Sequence, residues 1–188
     1  MSPDGLVAAE WLFAAPPFEL GGLPIAWQFS GRTHATSVMT EWNAYFTRGI
    51  PYEALIDLLV AVDASEVADW GLADADVVLD ALGAQGWLRD ADRPRTTASD
   101  LVLSCCLSLE PVPPLIQDGD PRPGQVGWQA WAEPLLGEPY LWCAGFSASV
   151  PHELVAAFAS ALVSPTPVAR RTLPDGLGDR GTITLRDF

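Results

Sequence analysis

Lysine is absent from this sequence. All 10 basic residues are arginine, against 24 aspartates and glutamates, which leaves a formal net charge of −14. Nucleic-acid backbones and anionic lipid both demand clustered positive charge, so this balance opposes either as a partner. Histidine occurs twice, as His34 and His152, and cysteine three times, as Cys105, Cys106 and Cys143. That is too little for a disulfide framework or a His/Cys metal cage. No apolar run approaches the twenty residues of a membrane-spanning helix. The N-terminus, MSPDGLVAAEWLF, lacks the basic start and A-x-A site of a secretion signal, so the chain reads as cytoplasmic. G-x-S-x-G, H-E-x-x-H, P-loop and G-x-G-x-x-G motifs are all missing. Asp74, Asp76 and Asp80 lack the central Gly and terminal Glu of a calcium loop. The expectation is a protein with no catalytic residue, metal or cofactor, and therefore not an enzyme.

What the sequence does have is apolar mass. Of 188 residues 49% are hydrophobic and 18% charged, with 8 Trp, 7 Phe and 3 Tyr, enough for a sizeable core. The acid is concentrated: Asp63, Glu66, Asp69, Asp74, Asp76, Asp80, Asp90 and Asp92 face only Arg89 and Arg93 between residues 63 and 94. Such a cluster is a solvated face or a docking surface for a basic partner.

The chain also repeats itself. Residues 42–62 (WNAYFTRGIPYEALIDLLVAV) align without gaps to residues 142–162 (WCAGFSASVPHELVAAFASAL) at an offset of 100. Trp27-Gln28 and Trp128-Gln129 correspond one residue out of step, and Ser99-Asp100-Leu101-Val102 echoes Ser2 to Val7. In W-x-A-x-F the period of two puts Trp142, Ala144 and Phe146 on one face of a strand, with Cys143 and Gly145 on the other. The small Ala leaves room for a side chain from the next element. Pro51 and Pro151 fit the first position of a helix, and Glu53 and Glu153 suit its positive end. Leu55, Leu58, Leu59 and Val62 then form an apolar stripe, as do Leu154, Val155, Phe158 and Leu162. Ile56 and Val60 lie off that stripe, which predicts that the two repeats pack through these helices or that the protein dimerises.

The remaining strands are expected at 5–12, 24–30 and 35–46 (one strand or two) in the first repeat and at 87–89, 101–108, 126–132 and 140–146 in the second. A connecting helix begins near Asp74, and a run rich in Pro, Gly and Arg, with one strand-like stretch at 182–185, follows Ser164. The fold class is therefore α+β: two tandem ββββα repeats, each an antiparallel sheet with a packed helix, related by pseudo-symmetry. The boundaries are 1–66 for the first repeat, 67–86 for an acidic connector, 87–163 for the second repeat and 164–188 for a tail. Cys105 and Cys106 share a strand and point to opposite sides, buried or as a reactive pair that Cys143 could approach.

Ser2-Pro3-Asp4-Gly5, the Trp-bearing strands, W-x-A-x-F, the Pro-x-Glu helix and Ala81-Leu82 to Gly86-Trp87 together resemble the tandem SPDY-motif domain, a family of unknown function known from actinobacteria. The resemblance covers most of residues 2–163 and implies the architecture without implying an activity. The fourth motif position is Gly5, and the second repeat lacks the motif's Pro and Gly. By fold analogy the doubled ββββα unit is also similar to single-strand-binding proteins of the Whirly and Pur type. Trp27, Trp128 and Trp131 could stack bases or sit in the core, but no basic groove accompanies them. The leading expectation is a non-catalytic interaction protein that docks a protein partner through Trp27, Trp128, Trp131, Asp63, Glu66 and Asp69, or that pairs with itself. The alternative is a single-stranded nucleic-acid binder.

Overall fold

The computed structural model describes residues 5–12, 19–32, 34–64, 76–92, 98–103, 105–112, 127–133, 138–147 and 149–164. Local pattern becomes structure along the chain as β1 (Val7–Trp11), β2 (Glu19–Leu20), β3 (Leu23–Gly31), β4 (Trp42–Thr47), α1 (Tyr52–Ala64), α2 (Asp76–Gly83), β5 (Leu88–Arg89), β6 (Ala98–Leu103), β7 (Cys105–Val112), β8 (Gly127–Glu133), β9 (Trp142–Ser147) and α3 (His152–Leu162). The strands form one antiparallel sheet in the order β1-β3-β4-β9-β8-β7-β6-β5, with β2 folded back on β3. The protein is thus α+β, and both W-x-A-x-F segments lie side by side at the centre of a single sheet.

Their pairing sets Ala44 opposite Phe146, Tyr45 opposite Gly145 and Phe46 opposite Ala144. Positions 45 and 145 match in the sequence alignment, so the junction is centred on a matched pair. Its hydrogen bonds match too. The Thr47 hydroxyl accepts the Cys143 amide at 2.8 Å, and the Ser147 hydroxyl accepts the Asn43 amide at 3.0 Å. Outward on either side, Trp27 faces Phe46 and Trp128 faces Phe146. Next, Trp11 faces Trp27 and Pro111 faces Trp128. What corresponds in the sheet is three strands and a helix, and the counterpart of β1 is β7. The 99–102 echo falls on β6 instead, and β2, α2, β5 and β6 have no counterpart among the described residues.

Strand alternation then divides the molecule into two faces. Trp42, Ala44, Phe46, Trp128, Ala130, Ala132, Trp142, Ala144 and Phe146 turn toward the helices and are buried. The Ala between aromatics does admit a side chain: the Phe158 ring from α3 lies 5.6 Å from that of Phe46 and 5.2 Å from that of Phe146. Helices α1 and α3 pack together, and α2 packs on α3 while also meeting β5 and β6. On the opposite face Leu20, Ile25 and Cys143 form a smaller cluster with Tyr45, Trp131 and Tyr140.

Several expectations need correction. The run 101–108 is a hairpin of two strands, β6 and β7, in which Leu103 faces Cys105. Residues 35–41 are turns rather than strand: the Ser37 amide bonds the His34 carbonyl at 2.9 Å, and Val38 and Met39 project into solvent. The expected stripe of α1 is narrower, burying Ala54, Leu55 and Leu58 but leaving Leu59 exposed. The strand at 182–185 and the tail lie outside the described residues.

The turn that ends the Ser2-Pro3-Asp4-Gly5 motif has a structural cause. Gly5 adopts φ 73°, a region that side chains with a Cβ rarely enter. Its carbonyl accepts two bonds from Arg32, from Nε at 2.9 Å and Nη2 at 2.8 Å, while Arg32 Nη1 reaches the Ser37 carbonyl at 2.9 Å. In the β8 register the counterpart of Arg32 is Glu133. The second half therefore lacks both the motif and the arginine that would clamp it.

Candidate interaction surface

Matched positions in the two halves differ in what covers them, and this difference defines the candidate surface. Trp27 and Trp128 both turn to the helix side of the sheet. Trp128 is 3% exposed, with the His152 ring 5.9 Å away, whereas Trp27 is half-buried, its ring 4.4 Å from the equally half-buried Trp11. The helices diverge in the same way: Leu59 is 39% exposed and its match Ala159 is fully buried. Helix α2 lies against α3 through a face that buries Val78, Leu79 and Leu82. Among the described residues, α3 is the helix beside α1, and none lies along its other flank.

The uncovered flank of α1 carries Tyr52, Ile56, Leu59 and Val60, with Tyr52 and Ile56 each 56% exposed and Val60 61%. The spacing of four, three and one residues keeps them on one side of the helix. Exposed Asp57 and Asp63 flank them. These acids stand where the second half has Ala157 in α3 and Val163 just after it, so the first half is more acidic at matched places.

Of the sequence candidates, Trp27 and Asp63 belong to the first half, one on the sheet and one at the exposed end of α1. Trp128 is corrected to a core residue: parity along β8 places it with Ala130 and Ala132 beneath α3. Trp131 points the other way, half-buried, its ring 6.3 Å from that of Tyr140. The structure does not bring these three tryptophans to one surface. Glu66 and Asp69 lie outside the described residues. Two acids of the connector are partly neutralised by Arg89 of β5, which bonds Asp76 at 2.8 Å and also pairs with Asp80. The hydrogen bond that Arg89 donates to the Asp76 carboxylate holds the guanidinium above its ordinary pKa.

Other groups offer little chemistry. Burial pushes the Cys143 thiol up to about 12, so it is no nucleophile at neutral pH. Cys143 lies two strands from β7, roughly 9.5 Å, beyond the Cα separation a disulfide spans. It therefore cannot pair with Cys105 or Cys106. Among the described residues no three His, Cys, Asp or Glu side chains converge as a metal site, and no helix is long and apolar enough to cross a membrane. Sequence reasoning noted Ile56 and Val60 as surplus apolar residues but did not single out Asp57.

No curated protein and no solved structure matches the chain. The profile of one family does, over residues 1–67 and again over 115–168, which together span more than half of the sequence. The first match holds β1 to β4 and α1, and the second holds β8, β9 and α3, so α2, β5, β6 and β7 fall between the two. The chain belongs to the SPDY family, a domain of unknown function (DUF317).

Proposed function

We propose that the protein is a non-catalytic, cytoplasmic interaction protein that docks a protein partner on the uncovered side of its first half, at Trp27 and the outer flank of α1 with Asp63. One observation carries this reading: Trp27 is half-buried and Leu59 exposed, whereas their matches Trp128 and Ala159 are buried. An apolar flank left in water costs roughly 25 cal/mol for each Å² that a partner could bury, and isolated monomers seldom expose such stripes. The aromatic content and the neighbouring acids supply what interfaces enrich: a ring-bearing centre and a polar rim.

The test is a tagged pull-down from native cell lysate, with and without nuclease, using the wild type and Ile56→Asp. The reading expects a defined protein that survives nuclease and is lost with Ile56→Asp. Recovery of nucleic acid, or loss of every partner on nuclease treatment, overturns it in favour of single-strand binding. Retention of the partner by Ile56→Asp moves the surface elsewhere.

A further inference from the structure

Resting on that reading, we infer that the partner presents a basic amphipathic helix, which lies along the outer flank of α1 as α2 lies along α3. The protein itself shows how such a flank is closed. On α3 the neighbour is a helix whose buried side is Val78, Leu79 and Leu82, an apolar face at spacings of one and three residues. On α1 the matched side offers Tyr52, Ile56, Leu59 and Val60, a stripe about two turns long that suits a helix packed alongside. An extended peptide would bury this stripe poorly, because its side chains alternate every second residue and only half could reach one helix face.

Charge selects the kind of helix. At the positions matching Ala157 of α3 and its C-cap Val163, α1 carries exposed Asp57 and Asp63. An arginine- or lysine-bearing helix meets those carboxylates at the edge of the apolar contact, where complementary charge speeds association and excludes the wrong partner. A second copy of this chain fits poorly. Face-to-face α1 helices would set Asp57 and Asp63 against their own images, between bodies that each carry −14. The protein's own α2 is already seated on α3.

The test places photoactivatable benzoylphenylalanine at Ile56 or, as a reference site, at Met39, which projects from the loop before β4. Each labelled protein is irradiated in native cell lysate, and the cross-linked peptide is sequenced. The inference expects the Ile56 probe to capture one protein through a net-positive segment with apolar residues three and four apart. It expects the double substitution Asp57→Arg with Asp63→Arg to cut that yield about tenfold, and Asp57→Asn with Asp63→Asn to cut it by less. Capture of this same chain, a captured segment without net positive charge, or a yield indifferent to both pairs of substitutions each overturns the inference. Capture from Met39 alone overturns it while leaving the docking reading intact, whereas capture from neither site removes both. Unchanged circular dichroism in the charge variants ties the result to the surface and not to unfolding.

Discussion

Cys143 shows how far a single residue's chemistry depends on its row in the sheet. Its thiol lies on the face opposite the helices, so near Gly21 that a Cβ there would stand 2.7 Å from the sulfur. Burial raises its pKa to about 12 from an ordinary 9.0. The native state therefore holds the proton more tightly than the unfolded chain. The resulting stability is fully present below pH 9 and is lost as pH rises toward 12. Urea titrations from pH 8 to 11 should show stability falling, and falling less in Cys143→Ala than in the wild type. Alkylation mapped by mass spectrometry at pH 8 should leave Cys143 unmodified until the chain unfolds. Gln129 gives a second residue-scale prediction. It is buried on the same face with Nε2 lacking a hydrogen-bond partner, a state that costs about 1–3 kcal/mol. Replacement by Met should raise stability by about 1 kcal/mol in chemical denaturation, and a loss instead would mean that the amide has a partner after all. At Arg32, removal of three bonds to carbonyls through Arg32→Ala should cost about 1–3 kcal/mol and loosen the Gly5 turn.

Among the elements, α1 and α3 share a sequence pattern but not a setting. Leu58 of α1 and Phe158 of α3 are fully buried, so Leu58→Ala and Phe158→Ala should cost roughly 2–5 kcal/mol each. Ile56→Asp on the open flank should cost less than about 0.5 kcal/mol while removing partner binding. Equal destabilisation by Ile56→Asp and Leu58→Ala would show that the flank is covered in solution. Much of this level was legible in the sequence. Two aromatics around an Ala, followed by Pro-x-Glu and a 3.6-residue stripe, mark a strand and a helix because local periodicity and end chemistry both point the same way. The hairpin at 103–105 was not legible, since Leu103 and Cys105 flank no Gly, Pro or Asn that would announce a turn. Nor was the contrast between Trp27 and Trp128. Both sit in a Trp-Gln step on a strand, and what separates them is the surroundings that distant elements supply, such as His152 beside Trp128. Exposure of this kind is a property of assembly, which local pattern does not encode.

At the scale of the whole molecule, the two halves meet through β4 and β9 within one sheet. The Phe46, Phe146 and Phe158 rings, with Phe46 5.5 Å from Phe146, cross that junction. Residues 1–66 alone would leave the edge of β4 and the Phe46 ring in water. Expressed separately, that segment should lack a cooperative thermal transition, and mixing it with residues 76–188 should restore one; autonomous folding of residues 1–66 would contradict the shared core. Joining halves in this way gives both the same inner packing and allows their outer flanks to differ, which is where an interaction surface can sit without disturbing the core. The most direct measurement of that asymmetry is hydroxyl-radical footprinting of the free protein, with side-chain oxidation read by mass spectrometry. The open-flank account predicts rapid oxidation of Trp27, Tyr52 and Leu59 and near-complete protection of Trp128 and Phe158. Equal protection of Trp27 and Trp128 would contradict it.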